Sequence, residues 1–181
     1  MAKESYARIG DVTQEAYLGL TLSTIYKNNN DLESAERYLI ESTELIKEQD
    51  YETKYVIQSA LADFYFSQKN HEAAETIWLD LLASMSDNED SEYVSNQIYM
   101  NLGWNAYDNK NFDHAEEYFS RNYDFNNSST KASEEEDGYF DGSYALVENR
   151  LDLVALSIAK GDKDAATNYL NQAKHYGITM V

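Results

Sequence analysis

Proline and cysteine are absent from this chain of 181 residues, glycine occurs 7 times, and Lys and Arg together number 14 against 33 Asp and Glu. Each shortage excludes something. Without cysteine there is no disulfide framework and no thiol chemistry. Without proline, helix ends must be set by other residues, here by clusters of Asn, Asp and Gly. The scarcity of cations leaves a net charge of −19. Such a chain repels nucleic acid and anionic lipid, and direct binding to either is not expected. No run approaches the roughly 18 uncharged apolar residues of a membrane span. The opening "MAKESYARIGDVTQ" has no apolar stretch of the secretory kind, so a cytoplasmic location is expected.

What the sequence has is a skeleton written four times. Counting from Ala115, Asn111 lies four before, Phe119 four after, Ala106 nine before, and Leu102 four before that. Around Ala74 the same offsets give Asn70, Trp78, Tyr65 and Leu61; around Ala35 they give Asp31, Leu39, Tyr26 and Leu22. Around Ala166 they give Asp162, Leu170, Leu153 and the one misfit, Ser157. Spacing by four puts these apolar side chains on one helical face, so each copy is read as two amphipathic helices. Asp31, Asn70, Asn111 and Asp162 fall where the second helix should begin, and each can accept from an unpaired N–H of its first turn. One hairpin cannot bury both of its apolar faces, but stacked hairpins can. The expectation is an all-α fold, a right-handed α-α superhelical solenoid of about four helical hairpins.

These residues resemble the tetratricopeptide repeat. Its pattern of an aromatic, Leu-Gly, a tyrosine and then Ala-x3-Phe is met by Tyr99, Leu102, Gly103, Ala115 and Phe119, and nearly met by Leu61, Ala62, Tyr65, Ala74 and Trp78. The first copy keeps Leu22, Tyr26 and Ala35 but has Gly19 where the aromatic belongs. The resemblance covers roughly residues 12 to 176. Anchor spacings of 39 (35 to 74), 41 (74 to 115) and 51 (115 to 166) exceed the standard repeat of about 34. Long, proline-poor repeats of this kind look like the peptide-binding domains of Rap- and PlcR-type quorum-sensing regulators from low-GC Gram-positive bacteria.

The organisation expected is a leading segment 1–11, three helix pairs over 12–125, an acidic polar loop at 126–138, and a fourth, degenerate pair with a C-terminal cap over 139–181. The pairs are placed near 12–28 and 32–48, 51–68 and 71–85, 92–109 and 112–124, and 140–160 and 163–176. Within them Tyr26, Tyr65, Tyr99, Tyr118, Trp78 and Phe119 are assigned to the core.

Catalytic and metal chemistry find little support. "SDNEDSE" (86 to 92) and "EEEDGYFDG" (134 to 142) lack the alternating ligands and central glycine of a calcium loop, and both read as solvated. His71, His114 and His175 have no partner at zinc-ligand spacing and are read as surface residues. No nucleophile elbow or phosphate-binding glycine loop is present. The reading is of a non-enzyme with no cofactor and no metal.

In the tetratricopeptide family the first helix of each hairpin lines a concave groove. The resemblance implies that Leu20, Thr24, Lys27 and Asn28, then Ser59, Asp63, Phe66 and Ser67, then Met100, Trp104, Tyr107 and Asp108, then Leu151, Ala155 and Ile158 face it. Asn28, Gln97 and Asn101 would hold peptide backbone, and Trp104, an exposed tryptophan beside Met100 and Tyr107, would anchor side chains together with Phe66; the alternative is that a C-terminal or neighbouring-chain helix covers this strip, or that it is core of a tightly wound superhelix. Asp63 and Asp108 flank this apolar strip, which suits a peptide or protein segment with apolar and basic side chains. A clamp for acidic chaperone tails would need Lys and Arg at these positions, and they are mainly apolar, hydroxyl-bearing or acidic. Binding of a short peptide, as in the sensor domain of a signalling regulator, is the expected function. An acidic secretion chaperone of the tetratricopeptide type and a structural scaffold are the alternatives, and a homodimer through the 140–176 hairpin is compatible with each.

Overall fold

The computed structural model describes residues 2–46, 51–85, 89–122 and 142–178, with the backbone alone for 2–11, 51, 89–92, 142–145 and 175–178. Eight helices follow one another among the described residues: α1 (Ala2–Asn28), α2 (Leu32–Leu45), α3 (Tyr51–Ser67), α4 (His71–Ser84), α5 (Glu89–Asp108), α6 (described over 112–122), α7 (Gly142–Lys160) and α8 (Lys163–Ile178). No strand occurs among the described residues. Two compact units divide the chain, Met1–Val94 and Ser95–Val181. The acidic loop expected at 126–138 lies outside the described residues, as do all of 134–141 and 86–88 from the two acidic clusters.

The four tight turns are built alike because the same local chemistry recurs. Asp31 Oδ1 accepts from the Ser34 N–H at 3.1 Å, Asn70 Oδ1 from Ala73 at 3.3 Å, Asn111 Oδ1 from His114 at 3.4 Å, and Asp162 Oδ1 from Ala165 at 2.9 Å. Each cap's own N–H reaches back to close the preceding helix, on the carbonyls of Tyr26, Tyr65, Ala106 and Ser157 at 2.8 to 2.9 Å. The residue before each cap must then turn left-handed: Asn30 (φ 62°), Lys69 (62°), Lys110 (61°) and Gly161 (78°). Only Gly161 occupies that conformation without a steric cost.

The leading segment departs from expectation. Residues 2–11 are the first turns of α1, which starts ten residues before the predicted boundary. Ala-Lys-Glu-Ser and the residues after it favour helix without an apolar period, so periodicity passes over them.

In the first unit, Ala35, Leu39, Leu61 and Phe64 form one buried cluster and Ala16, Ile46 and Ile57 another, with Leu20 packed against both. The second unit packs Ala106, Ala115, Phe119, Leu153 and Leu156 together. Trp78 and Phe119 are almost wholly buried, as assigned. The tyrosines are only half-buried: Tyr26 stacks on Tyr38 (5.4 Å between centroids) and Tyr99 on Tyr118 (6.3 Å). Tyr65 sends its hydroxyl to Glu36 at 2.7 Å, tying α3 to α2, and burial and that carboxylate push its pKa up to about 12. A phenol packs its ring and keeps its polar end supplied, which places it at the margin of a core.

Candidate functional site

A cleft of about 140 Å³ opens in the first unit between α1 and α3. Leu20, Ser23, Thr24 and Lys27 line one wall, Ala60, Asp63 and Phe64 the other, and Leu39 of α2 closes the base. Spacing explains the walls, since 20, 24 and 27 share one face of α1 while 60, 63 and 64 share one face of α3. Ser23 and Thr24 both donate to the Leu20 carbonyl, at 2.7 and 3.1 Å, so their polar ends are turned into their own helix. Most of the wall is therefore apolar, with two charges set in it. Asp63 is exposed as a residue, yet enough of its carboxyl group is enclosed that burial raises its pKa, with the Lys27 charge pulling the other way. An anion held in a half-apolar cleft favours a cationic group that can share its desolvation.

Four of the predicted residues, Leu20, Thr24, Lys27 and Asp63, are thus brought together. Asn28 is exposed and does not line the cleft. Phe66 is half-buried among its own neighbours, with its ring 5.8 Å from His71, 6.3 Å from Trp78 and 5.8 Å from the Lys69 ammonium. Leu39, Ala60 and Phe64 were missed as lining residues. The i, i+4 spacing of 60 and 64 beside Asp63 was the available signal.

In the second unit, Gln97, Met100, Asn101, Trp104 and Tyr107 are half-buried on α5 and Asp108 is exposed. Trp104 is not the free-standing surface residue expected. Its ring meets Phe119 edge-on at 5.5 Å and Tyr107 at 5.3 Å, and it packs against the cluster of Ala106, Ala115, Phe119, Leu153 and Leu156. The cause is the neighbouring Gly103: a Cβ there would lie 2.5 Å from Phe119 Cδ1, so the glycine admits the Phe119 ring beneath α5, where Trp104 covers it. Tyr107 in turn rests on Phe112 at 5.9 Å.

Sequence reasoning also missed a buried amide chain across α5, α6 and α7. Asn122 Nδ2 donates to Asn96 Oδ1 (2.8 Å) and to the Asn96 carbonyl (3.1 Å), while Asn149 Nδ2 donates to Asn122 Oδ1 (2.8 Å) and the Phe119 carbonyl (2.9 Å). All three side chains are buried. A network of this kind fixes register, because sliding any one helix strands several amides at once. On the exposed side Lys160 bridges to Glu116 at 2.6 Å and lies 3.7 Å from Asp113. Farther up α7, burial and then the charge of Glu148 one turn earlier push Asp152 up to about 7. No group of three or more His, Asp or Glu side chains is arranged to hold a metal among the described residues. Nor, among those residues, is any helix long and apolar enough to cross a membrane.

Residues 20–49 match the family model described as tetratricopeptide repeat. Over that segment the chain is similar to a tetratricopeptide repeat. Its all-α helical-repeat fold extends beyond that segment, as two solved structures show. BtubC (BKLC) from P. vanneervenii aligns at a TM-score of 0.52 and 17% identity, over 97% of this chain and 91% of that one. The nearly identical TPR-like repeats assigned to a Podosopora anserina kinesin light chain align at 0.54 and 12% identity, over 93% and 97%. At such identities the likeness is one of fold. No curated protein sequence matches the chain. Tetratricopeptide repeats mediate protein–protein interaction, and that is the level at which the fold speaks to function.

Proposed function

We propose that this protein binds a short peptide or partner segment carrying apolar and basic side chains, with the cleft between α1 and α3 as the recognition site, and that it has no catalytic step of its own. The observation that carries this reading is the pairing of apolar walls (Leu20, Leu39, Ala60, Phe64) with the partly enclosed carboxyl of Asp63. An incoming Lys or Arg would bury its methylene stem against the leucines and bring its charge to Asp63, displacing the weaker claim of Lys27. The excess of acid over base across the chain would speed the approach of such a segment. The same cleft would serve as the peptide sensor of a signalling regulator, the role implied by the resemblance of the long repeats to the Rap and PlcR type.

Selection of a displayed random-peptide library on the immobilised full chain tests this, followed by fluorescence anisotropy of the enriched peptides. Enrichment of Lys or Arg beside an aliphatic or aromatic residue is expected. Thr24→Trp, which fills the cleft from an exposed position, should abolish binding, and Asp63→Asn should remove the preference for a cation. Peptides that bind both variants as they bind the unmodified chain would place recognition elsewhere.

A further inference from the structure

The opposite side of the first hairpin carries a second groove. It holds about 170 Å³ and is lined by Glu15, Leu18, Gly19 and Leu22 of α1 and by Tyr38, Glu41, Ser42 and Leu45 of α2. Leu18 is 58% exposed, and Ile25, seven residues on along the same face of α1, is 49% exposed. Leucine and isoleucine at i, i+4 and i+7 (Leu18, Leu22, Ile25) form the stripe by which one helix docks on another.

The repeat register says what such a stripe is shaped to receive. The 39-residue offset that pairs Ala35 with Ala74 also pairs Leu18 with Ile57, Leu22 with Leu61, and Ile25 with Phe64. In the second hairpin those three positions are buried, at 0%, 8% and 4% exposure. What buries them is chiefly the preceding α2: Leu61 and Phe64 cluster with Ala35 and Leu39, and Ile57 with Ile46 at the α2 C-cap and Ala16. The face that α3 turns toward α2 is therefore the face that α1 leaves open. α1 is one continuous helix from Ala2, so residues 2–17 do not fold back to occupy it.

We propose that this groove docks an amphipathic helix of another protein, seated on α1 as α2 is seated on α3. Its apolar stripe would follow the spacing of Ala35, Leu39 and Ile46, a small or aliphatic residue at i, i+4 and i+11. The acidic side chains that line the groove are Glu15 and Glu41, both exposed, while Arg37 lies over the ring of the lining Tyr38 at 5.0 Å. Lys or Arg beside the stripe therefore completes the fit. A second copy of this chain does not suit the site. A two-fold contact would set the patch against itself, Glu15 and Glu41 facing Glu15 and Glu41, between partners of net charge −19.

A synthetic peptide of residues 31–46 with Glu33, Glu36, Glu41 and Glu44 all replaced by Lys supplies the stripe in its native spacing with basic flanks. Labelled and titrated with the full chain at physiological salt, it should bind saturably. Leu18→Asp and Ile25→Asp in the full chain should each weaken binding at least about tenfold, with unchanged far-UV circular dichroism, since both side chains point into solvent. The unsubstituted acidic peptide should bind weakly. Equal binding by a lysine peptide whose Leu39 and Ile46 are both changed to Ser would reduce the effect to charge and overturn the proposal. So would equal binding by both Asp variants, or a dimer of the full chain in sedimentation that Leu18→Asp dissociates.

Discussion

Asp152 offers a sharp test of how the second unit treats charge. Burial first, and the neighbouring Glu148 second, push its pKa up to about 7 from the ordinary 3.8. A carboxyl whose pKa is higher folded than unfolded holds its proton more tightly in the native state. Between about pH 4 and pH 7 the folded chain then binds more protons, and this residue's contribution makes stability fall as pH rises. Below 3.8 the group is protonated in both states and contributes nothing; above 7 the full penalty is present. Three pK units correspond to a ceiling of about 4 kcal/mol. The carboxyl keeps partial access to water, and screening brings the expected penalty down to about 1–2 kcal/mol. Asp152→Asn removes it. Urea denaturation should show the variant about 1–2 kcal/mol more stable than the unmodified chain at pH 8, with the gap closing toward zero at pH 3.5. The acidity of the rest of the chain affects both proteins alike and cancels in the difference. A variant that is no more stable at pH 8, or equally stabilised at both pH values, would refute the reasoning.

Four other outcomes follow from the packing. Lys110→Gly relieves a left-handed residue at φ 61° and should raise stability by about 1 kcal/mol in thermal unfolding. Gly103→Ala drives a methyl into the Phe119 ring and should cost about 1–3 kcal/mol by denaturant titration. Trp104→Ala uncovers the Phe119 cluster and should lower stability by about 2 kcal/mol or more; loss of a ligand with no fall in the melting midpoint would restore Trp104 as a surface anchor. Asn122→Leu removes the acceptor of one of the two Asn149 Nδ2 hydrogens in a buried site, leaving the one to the Phe119 carbonyl, and should cost about 1–3 kcal/mol; a neutral result would mean the amide chain adds nothing to stability.

The parts of this molecule that were legible in its sequence are those decided within a few residues. Asp31, Asn70, Asn111 and Asp162 cap their helices because a short acceptor four residues before a small anchor has one geometry available to it. Trp78 and Phe119 are core because the i, i+4 relation to Ala74 and Ala115 puts them on the packed face. What was illegible depends on partners from other helices. Whether Trp104 faces water turns on where the Phe119 ring goes, and that turns on Gly103. Asn149 holds the register position of Leu18 and Ile57, and Asn122 that of Ser42 and Leu81, but an amide has no apolar signal, so in sequence Asn96, Asn122 and Asn149 look like any other surface amides. Of the residues proposed for the groove, Leu20, Thr24, Lys27 and Asp63 converge on one cleft because α1 and α3 present their matching faces side by side.

The register explains more than stacking. Leu18 and Ile57 are the same position of the repeat and equally apolar, yet one is exposed and the other fully buried. The difference lies in the neighbour and not in the residue. α1 therefore has two working sides, one walling the cleft toward α3 and the other flooring the groove away from it. Both depend on how near α1 lies to α2, and Gly19 sets that distance: a Cβ there would collide with Ser42 Oγ and come within 3.3 Å of the Tyr38 carbonyl. An aromatic at this position, as the repeat pattern usually has, would hold the two helices apart and change the shape of both surfaces. Glycine in its place narrows the first hairpin where Leu18 and Leu22 must present a shallow groove instead of a filled core.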